Sequence, residues 1–435
     1  MEVKLAPVHG LRVLETSVRG QVSTERMRGV CVAFGAMMCA ACLPCAAYSV
    51  LTHEAIVDSA WESRIQPLLR ARYPQATEDD LREARAYVYG GSLVQDMGYA
   101  PLSSKTFSDL THYVRSGDFV AALLADAKSL DEYAFALGAL AHYASDRIGH
   151  QTVNRLTPLI YPKLKKKFGD VVTYEDSPSN HLKTEFALDV VQVSRGLYAP
   201  DAYHAFIGFK VSQDVLERAF EDTYGFPLKD LFLSEDLAIG TYRYAAGSLI
   251  PQMTTIAWTT KQKDIEQLKP GIERSAFIYS LPRAKYESEW GTKYQKPGIF
   301  TRILAWVFRA IPKVGPFKAM GFRPVPPEGE KMFLKAFADT STEYNKLLDE
   351  VKSNSLVFTD VNLDTGKATQ PGEYQLADKA YVSLLDRLSG KHVDAISPQL
   401  RANMLAYFDR RDRETLSQKA LQQLAALRAA NTASR

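Results

Sequence analysis

At 435 residues the chain exceeds the roughly 250 to 300 at which a single hydrophobic core stops growing, so its length predicts one large domain with a further region appended. Its 46% hydrophobic and 24% charged residues are ordinary for a globular protein, and a formal net charge of +3 leaves no broad basic field to draw in nucleic acid.

The N-terminus carries the first readable element. Arg26 and Arg28 precede an apolar run over residues 29–45, which ends in Cys45-Ala46-Ala47, small residues of the kind a signal peptidase accepts. Residues 27–47 are therefore read as a signal peptide cut between Ala47 and Tyr48, and the protein as exported, to a periplasm or to the medium. On that reading Met27 is the start, and residues 1–26 are an upstream extension expected to be disordered. A buried helix or a membrane anchor fits less well, because the run is short of the roughly 20 residues a spanning helix needs and Pro44 breaks its end. All four cysteines, Cys31, Cys39, Cys42 and Cys45, fall inside the signal, so the mature chain has neither disulfides nor thiolate ligands. Any metal it holds must sit on nitrogen and oxygen.

From His53 onward apolar residues recur at helical spacing. Ile56, Ala60, Ile65, Leu68 and Leu69 predict one helix, and Thr77 ahead of Glu78, Asp79 and Asp80 predicts the capped start of the next. Further helices are predicted over 119–127, 130–148, 182–193, 211–221 and 233–250, with no sustained strand-like alternation anywhere. The fold class is mainly α, with a multi-helix domain over residues 48–262. After Lys261 the texture changes. Pro270, Pro282, Pro297, Pro312 and Pro316 punctuate a Tyr- and Lys-rich segment that leads into more polar helices, so residues 263–435 read as a Pro/Tyr-rich segment and a mostly helical C-terminal region with no assigned role.

Five of the eight histidines lie in one ordered series with acidic residues between positions 53 and 185. The strongest piece is the run 140–150, where His142, Asp146 and His150 are spaced four apart and so form one stripe on a helix. The surrounding positions, Tyr133, Phe135, Leu137 and Leu140, are apolar, so the stripe enters a core and is costly there without a partner such as a cation. His181 and Glu185 repeat the spacing and can grip one borderline cation between them. His53, Asp96 and His112 each offer one more ligand, although a surface cap, a turn residue or a satisfied core histidine is the commoner reading of each alone. The pair His53-Glu54 does not open a zinc-protease helix, because Val57 stands where the second histidine is required.

The ordered set Tyr48, His53, Asp96, His112, His142, Asp146, His150, His181 and Glu185 resembles the zinc-dependent phospholipase C family, whose fold is shared by zinc-dependent single-strand nucleases. The resemblance implies a multi-helix bundle and up to three Zn2+ ions. In that family the mature N-terminal residue, usually Trp, binds zinc through its α-amino nitrogen and carbonyl oxygen, and the predicted cleavage exposes Tyr48 in that place. It further implies one zinc on Asp96, His112, His142 and Asp146, a second on Tyr48, His53 and a bridging Asp146, and a third on His150, His181 and Glu185. The four-residue step from Asp146 to His150, where many members have six, resembles the glycosylphosphatidylinositol-cleaving phospholipase D branch.

The activity so implied is hydrolysis of a phosphodiester, with water whose pKa the metal lowers to about 7 and with Asp96 as candidate general base. Phospholipid is favoured as substrate, and a phospholipid membrane surface as partner, by residues 299–322, an apolar and aromatic stretch with scattered Arg and Lys. A helix and loop packing one region on the other would read the same way. Tyr99, Phe107, Tyr113 and Tyr143 flank the ligands and either box a quaternary ammonium head group or serve as core. Two alternatives stay open: a single-strand nuclease or phosphomonoesterase on the same cluster, and a non-catalytic zinc-binding protein at membranes. No nucleic-acid partner is expected, since a nuclease wants a basic strand-tracking groove.

Overall fold

The computed structural model describes residues 50–100, 102–195, 209–244, 322–389 and 396–429, with isolated positions between 258 and 274. Tyr48, the signal segment 27–47, the extension 1–26, the end of the 233–250 helix and nearly all of 299–322 lie outside the described residues. The chain divides into two units, Met1–Ala40 and Ala41–Arg435, and everything below concerns the second.

Among the described residues the architecture is all helix, with one isolated antiparallel bridge between Asn362 and Lys367. Helix α1, Val50–Ala60, runs through a wide turn at Trp61–Ile65 into α2, Gln66–Arg72. Then come α3 (Glu78–Gly91), a 3-10 turn at Val94–Tyr99, α4 (Lys105–Tyr113), α5 (Ser116–Asp126) and α6 (Leu130–Ile160). They are followed by α7 (Pro162–Phe168), α8 (Pro178–Arg195), α9 (Gln213–Tyr224) and α10 (Glu235–Tyr244). After the intervening segment lie α11 (Pro327–Lys352), α12 (Gln375–Leu388), α13 (Pro398–Asp409) and α14 (Gln418–Ala429).

The capped start predicted at Thr77 is a full capping box: Thr77 Oγ1 accepts from the Asp80 amide at 3.2 Å while Asp80 Oδ2 accepts from the Thr77 amide at 2.9 Å. Ser129 caps α6 in the same manner, accepting from the Glu132 amide at 3.2 Å. The apolar spacing predicts this helix only to 148, but it continues to Ile160 because Val153, Leu156 and Ile160 keep the apolar period going into a second core with α8. Pro158 stands inside the last turn of α6, and the helix ends at Tyr161.

Helix α6 is buried almost all round its first half, the mark of a central element. It packs against α1, α3, α5, α8 and α11. Its crossing with α3 is unusually close, because a Cβ on Gly138 would stand 2.1 Å from the Val88 carbonyl oxygen and one on Gly91 would stand 2.0 Å from that of Phe135. Two glycines at the contact let the backbones touch.

Helices on both sides of position 262 share one core. Tyr344 of α11 is fully buried and donates to the Leu137 carbonyl at 2.9 Å, and Leu384, Leu400 and Leu424 join the same apolar cluster as Ile56, Leu140 and Phe220. Phe322, the described end of the aromatic stretch, is buried against Phe186 of α8. No helix among the described residues is long and apolar enough to cross a membrane.

Candidate metal centre

Five elements bring eight of the nine predicted ligands together, all of them buried. His53 stands in the first turn of α1, which is pinned to α8: Asp189 accepts from Thr52 Oγ1 at 2.7 Å and from the Leu51 amide at 3.3 Å. A carboxylate at a helix N-terminus satisfies donors that the helix itself cannot. Asp96 rides on the 3-10 turn, held to α4 where Gly98 donates to Ser108 Oγ at 3.0 Å and to α6 where Gln95 Nε2 donates to the Ala139 carbonyl at 3.2 Å. His112 closes α4; His142, Asp146 and His150 stripe α6; His181 and Glu185 lie on α8. Tyr48, the ninth, is outside the described residues.

Asp146 sits at the middle. Its Oδ1 is 3.4 Å from His53 Nε2, and its Oδ2 is 3.0 Å from His142 Nε2, 3.3 Å from His112 Nε2 and 3.4 Å from His150 Nε2. Asp96 Oδ1 lies 3.4 Å from His112 Nε2, and Glu185 Oε1 lies 2.8 Å from His181 Nε2. Three sets have all donor atoms within 4.8 Å of one another: His53, His142 and Asp146; Asp96, His112 and His142; and His150, His181 and Glu185.

The donor set suits a cation. His112 Nδ1 is 2.8 Å from the Ser108 carbonyl oxygen and His142 Nδ1 is 2.9 Å from that of Ser92. A carbonyl only accepts, so each Nδ1 carries the proton and, in the neutral ring, each Nε2 turns a lone pair into the cluster. Those two Nε2 atoms are 3.4 Å apart. Both oxygens of Asp96 and of Asp146, and both ring nitrogens of His150 and His181, are buried without a well-formed hydrogen bond. Such groups are costly unless something electropositive lies between them. Two donors each about 2.0–2.1 Å from a tetrahedral zinc stand about 3.3–3.4 Å apart, the spacing that recurs here.

The charges of the cluster respond to one another. Burial alone would raise Asp146, but the imidazoles of His142, His150 and His112 hold it well below the usual carboxylate range. His112 is raised well above an ordinary histidine in spite of burial, because Asp146 and Asp96 flank it. Burial, and then His142, pushes His53 down to about 3, leaving a neutral ring able to bind metal. Burial, with Asp96, Asp146 and Asp364 nearby, raises Glu185 well above the ordinary range.

The flanking aromatics are mostly spent. Phe107 stacks on Phe220, Tyr113 donates to Asp364 Oδ2 at 2.8 Å, and Tyr143 donates to the Thr359 carbonyl at 2.7 Å. Tyr99 lies between His112 and Tyr174, with ring centroids 6.1 and 6.4 Å away. Two buried carboxylates in or beside the cluster, Asp189 and Asp364, escaped the sequence reading. Asp189 falls one turn after Glu185 on α8 and could have been found by extending that stripe. Asp364 belongs to no periodic pattern.

Residues 52–232 match the family model described as zinc dependent phospholipase C. Comparison with curated proteins and with solved structures gives no match. The matched segment contains every described ligand candidate, from His53 to Glu185, together with the crossing of α3 and α6 that supports them. Over residues 52–232 the chain is similar to the zinc-dependent phospholipase C family.

Proposed function

We propose that the protein is an exported zinc metallohydrolase that cleaves phosphodiester bonds of phospholipids in the manner of a phospholipase C. The observation that carries this reading is Asp146, a buried carboxylate whose two oxygens meet four imidazole Nε2 atoms at 3.0–3.4 Å and make no well-formed hydrogen bond. The groups around it would hold up to three Zn2+ ions, with Asp146 shared and Tyr48 adding its terminal amine and carbonyl after cleavage. When bound, zinc supplies Lewis-acid polarisation of a phosphoryl oxygen and a supply of hydroxide near neutral pH.

The chain's own residues do the rest. Asp96, raised above the ordinary carboxylate range chiefly by burial, is placed to take the proton of the attacking water. As that water adds to phosphorus, the bond from phosphorus to the diacylglycerol oxygen breaks and the departing alkoxide takes, through water, the proton that Asp96 removed. The hydrogen bonds of His112 to Ser108 and of His142 to Ser92 fix both rings, so the site need not reorganise during the step.

A membrane surface as partner is supported by the apolar, aromatic composition of residues 299–322, and export by the signal-like run that contains every cysteine. The test uses protein processed to begin at Tyr48, assayed for zinc content and for turnover of phosphatidylcholine vesicles beside single-stranded DNA. Zinc together with diacylglycerol release is the expected result. DNA cleavage without lipid cleavage would transfer the assignment to a nuclease, and zinc with neither activity would leave a binding protein.

A further inference from the structure

Asp364 lies outside the segment that matches the family, yet its carboxylate reaches the metal cluster. It sits on a tight loop between α11 and α12, and its side chain is buried. The loop turns at Asn362–Lys367, with Gly366 at φ +68° and so close to α6 that a Cβ there would stand 2.4 Å from the Arg147 carbonyl oxygen. Only glycine accepts both the left-handed backbone and that approach.

The loop is clamped on both sides to elements that carry ligands. The Leu363 amide donates to the carbonyl of His112 at 3.0 Å, and Asn154, one turn beyond His150 on α6, donates to the Asp364 carbonyl at 2.8 Å. These bonds leave the carboxylate little freedom. Its Oδ2 accepts from two phenols, Tyr113 at 2.8 Å and Tyr374, while its Oδ1 stands 3.3 Å from His150 Nε2. One oxygen is thus held by hydroxyls and the other faces the imidazole at the distance two donors on one tetrahedral ion would show.

We propose that Asp364 is a further ligand of the metal centre, adding its Oδ1 to the cation held by His150, His181 and Glu185. This rests on the metal-centre reading above. His150, His181 and Glu185 supply three donors and a single negative charge, one donor short of the four that zinc usually takes. A second carboxylate fills the shell and brings the charge on that ion to balance. The two tyrosine hydroxyls then act as the outer partners that ligating carboxylates commonly have, orienting Asp364 without competing for Oδ1. The C-terminal region, in this account, completes the site that the matched segment begins.

The experiment has two arms on the full processed chain. Crystals of the wild-type protein grown with zinc, with data collected at the zinc absorption edge, locate each ion independently of activity. The expected result places Asp364 Oδ1 about 2.0–2.2 Å from an ion that His150 also binds. An Asp364 oxygen more than about 3 Å from every ion would overturn the inference while leaving the metal centre intact; a wild-type protein that binds no zinc would remove the metal-centre reading itself. In the second arm, titration of Asp364→Asn against a zinc-chelating dye should show one equivalent bound about ten- to a hundred-fold more weakly, with the others unchanged. Equal affinity for every equivalent in variant and wild type would also overturn it, and the crystallographic arm decides the matter if the variant does not fold.

Discussion

His112 and His142 aim their Nε2 atoms at each other across 3.4 Å, each with its Nδ1 proton committed to a backbone carbonyl. Asp96 and Asp146 beside it raise His112 well above an ordinary histidine in spite of its burial, so a cation at this position competes with a proton on that ring. Zinc must displace that proton. Zinc binding is therefore expected to release protons and to weaken as the pH falls, and chelation should lower unfolding stability by about 3 kcal/mol or more, the linkage expected of a ligand present at a hundred times its dissociation constant. Calorimetric titration in buffers of different ionisation enthalpy, with a thermal melt before and after chelation, measures both.

Asp146→Asn removes the one carboxylate within 3.4 Å of four histidines. The variant should hold at least one zinc fewer and lose a hundred-fold or more in turnover, while its helical circular dichroism is unchanged. Unaltered zinc content would show that Asp146 is not the shared ligand.

The α3/α6 crossing should be intolerant of a single methyl group. Gly138→Ala would place a Cβ 2.1 Å from the Val88 carbonyl, forcing apart the helices that also position Ser92 against His142. Overpacking of this kind costs about 1–3 kcal/mol, so the melting temperature should fall together with zinc occupancy. Gly169→Ala, whose Cβ would meet nothing within 4 Å, should leave zinc occupancy untouched, although φ +92° there adds local strain.

Asp360 of the loop after α11 caps α5 from a distance, its Oδ1 accepting from the amides of Gly117 and Asp118 at 3.0 Å each. Asp360→Ala should cost about 1–2 kcal/mol in urea unfolding, as the loss of an N-terminal cap does elsewhere. Asp360→Asn keeps an acceptor oxygen and should recover most of the loss.

Glu217 and Glu235 share the side-chain amide of Gln213, at 2.7 and 2.8 Å. Burial, followed by Glu217 beside it, raises Glu235 to about 7. The folded state thus holds a proton that the unfolded chain has already released, so stability should fall as pH rises from the ordinary glutamate range to about 7 and level off above it. The pair is partly open to solvent, which limits the effect to on the order of 1 kcal/mol. Glu235→Gln should flatten that part of the pH–stability curve.

The ligand series was legible in the sequence because it is local. His142, Asp146 and His150, and again His181 and Glu185, lie four apart, and helical geometry alone puts such residues on one face. The apolar period around them marked α6 as a buried helix, and Thr77 with its acidic followers marked a cap. The convergence of α1, the 3-10 turn, α4, α6 and α8 on Asp146 was decided by tertiary packing, through a glycine crossing and an inter-helix cap at Asp189 whose partners are remote in sequence. Asp364 is the clearest case. Nothing in the residues around it announces a place in the cluster; that place comes from hydrogen bonds to His112 and Asn154 across more than two hundred positions of chain, contacts that no local period can encode.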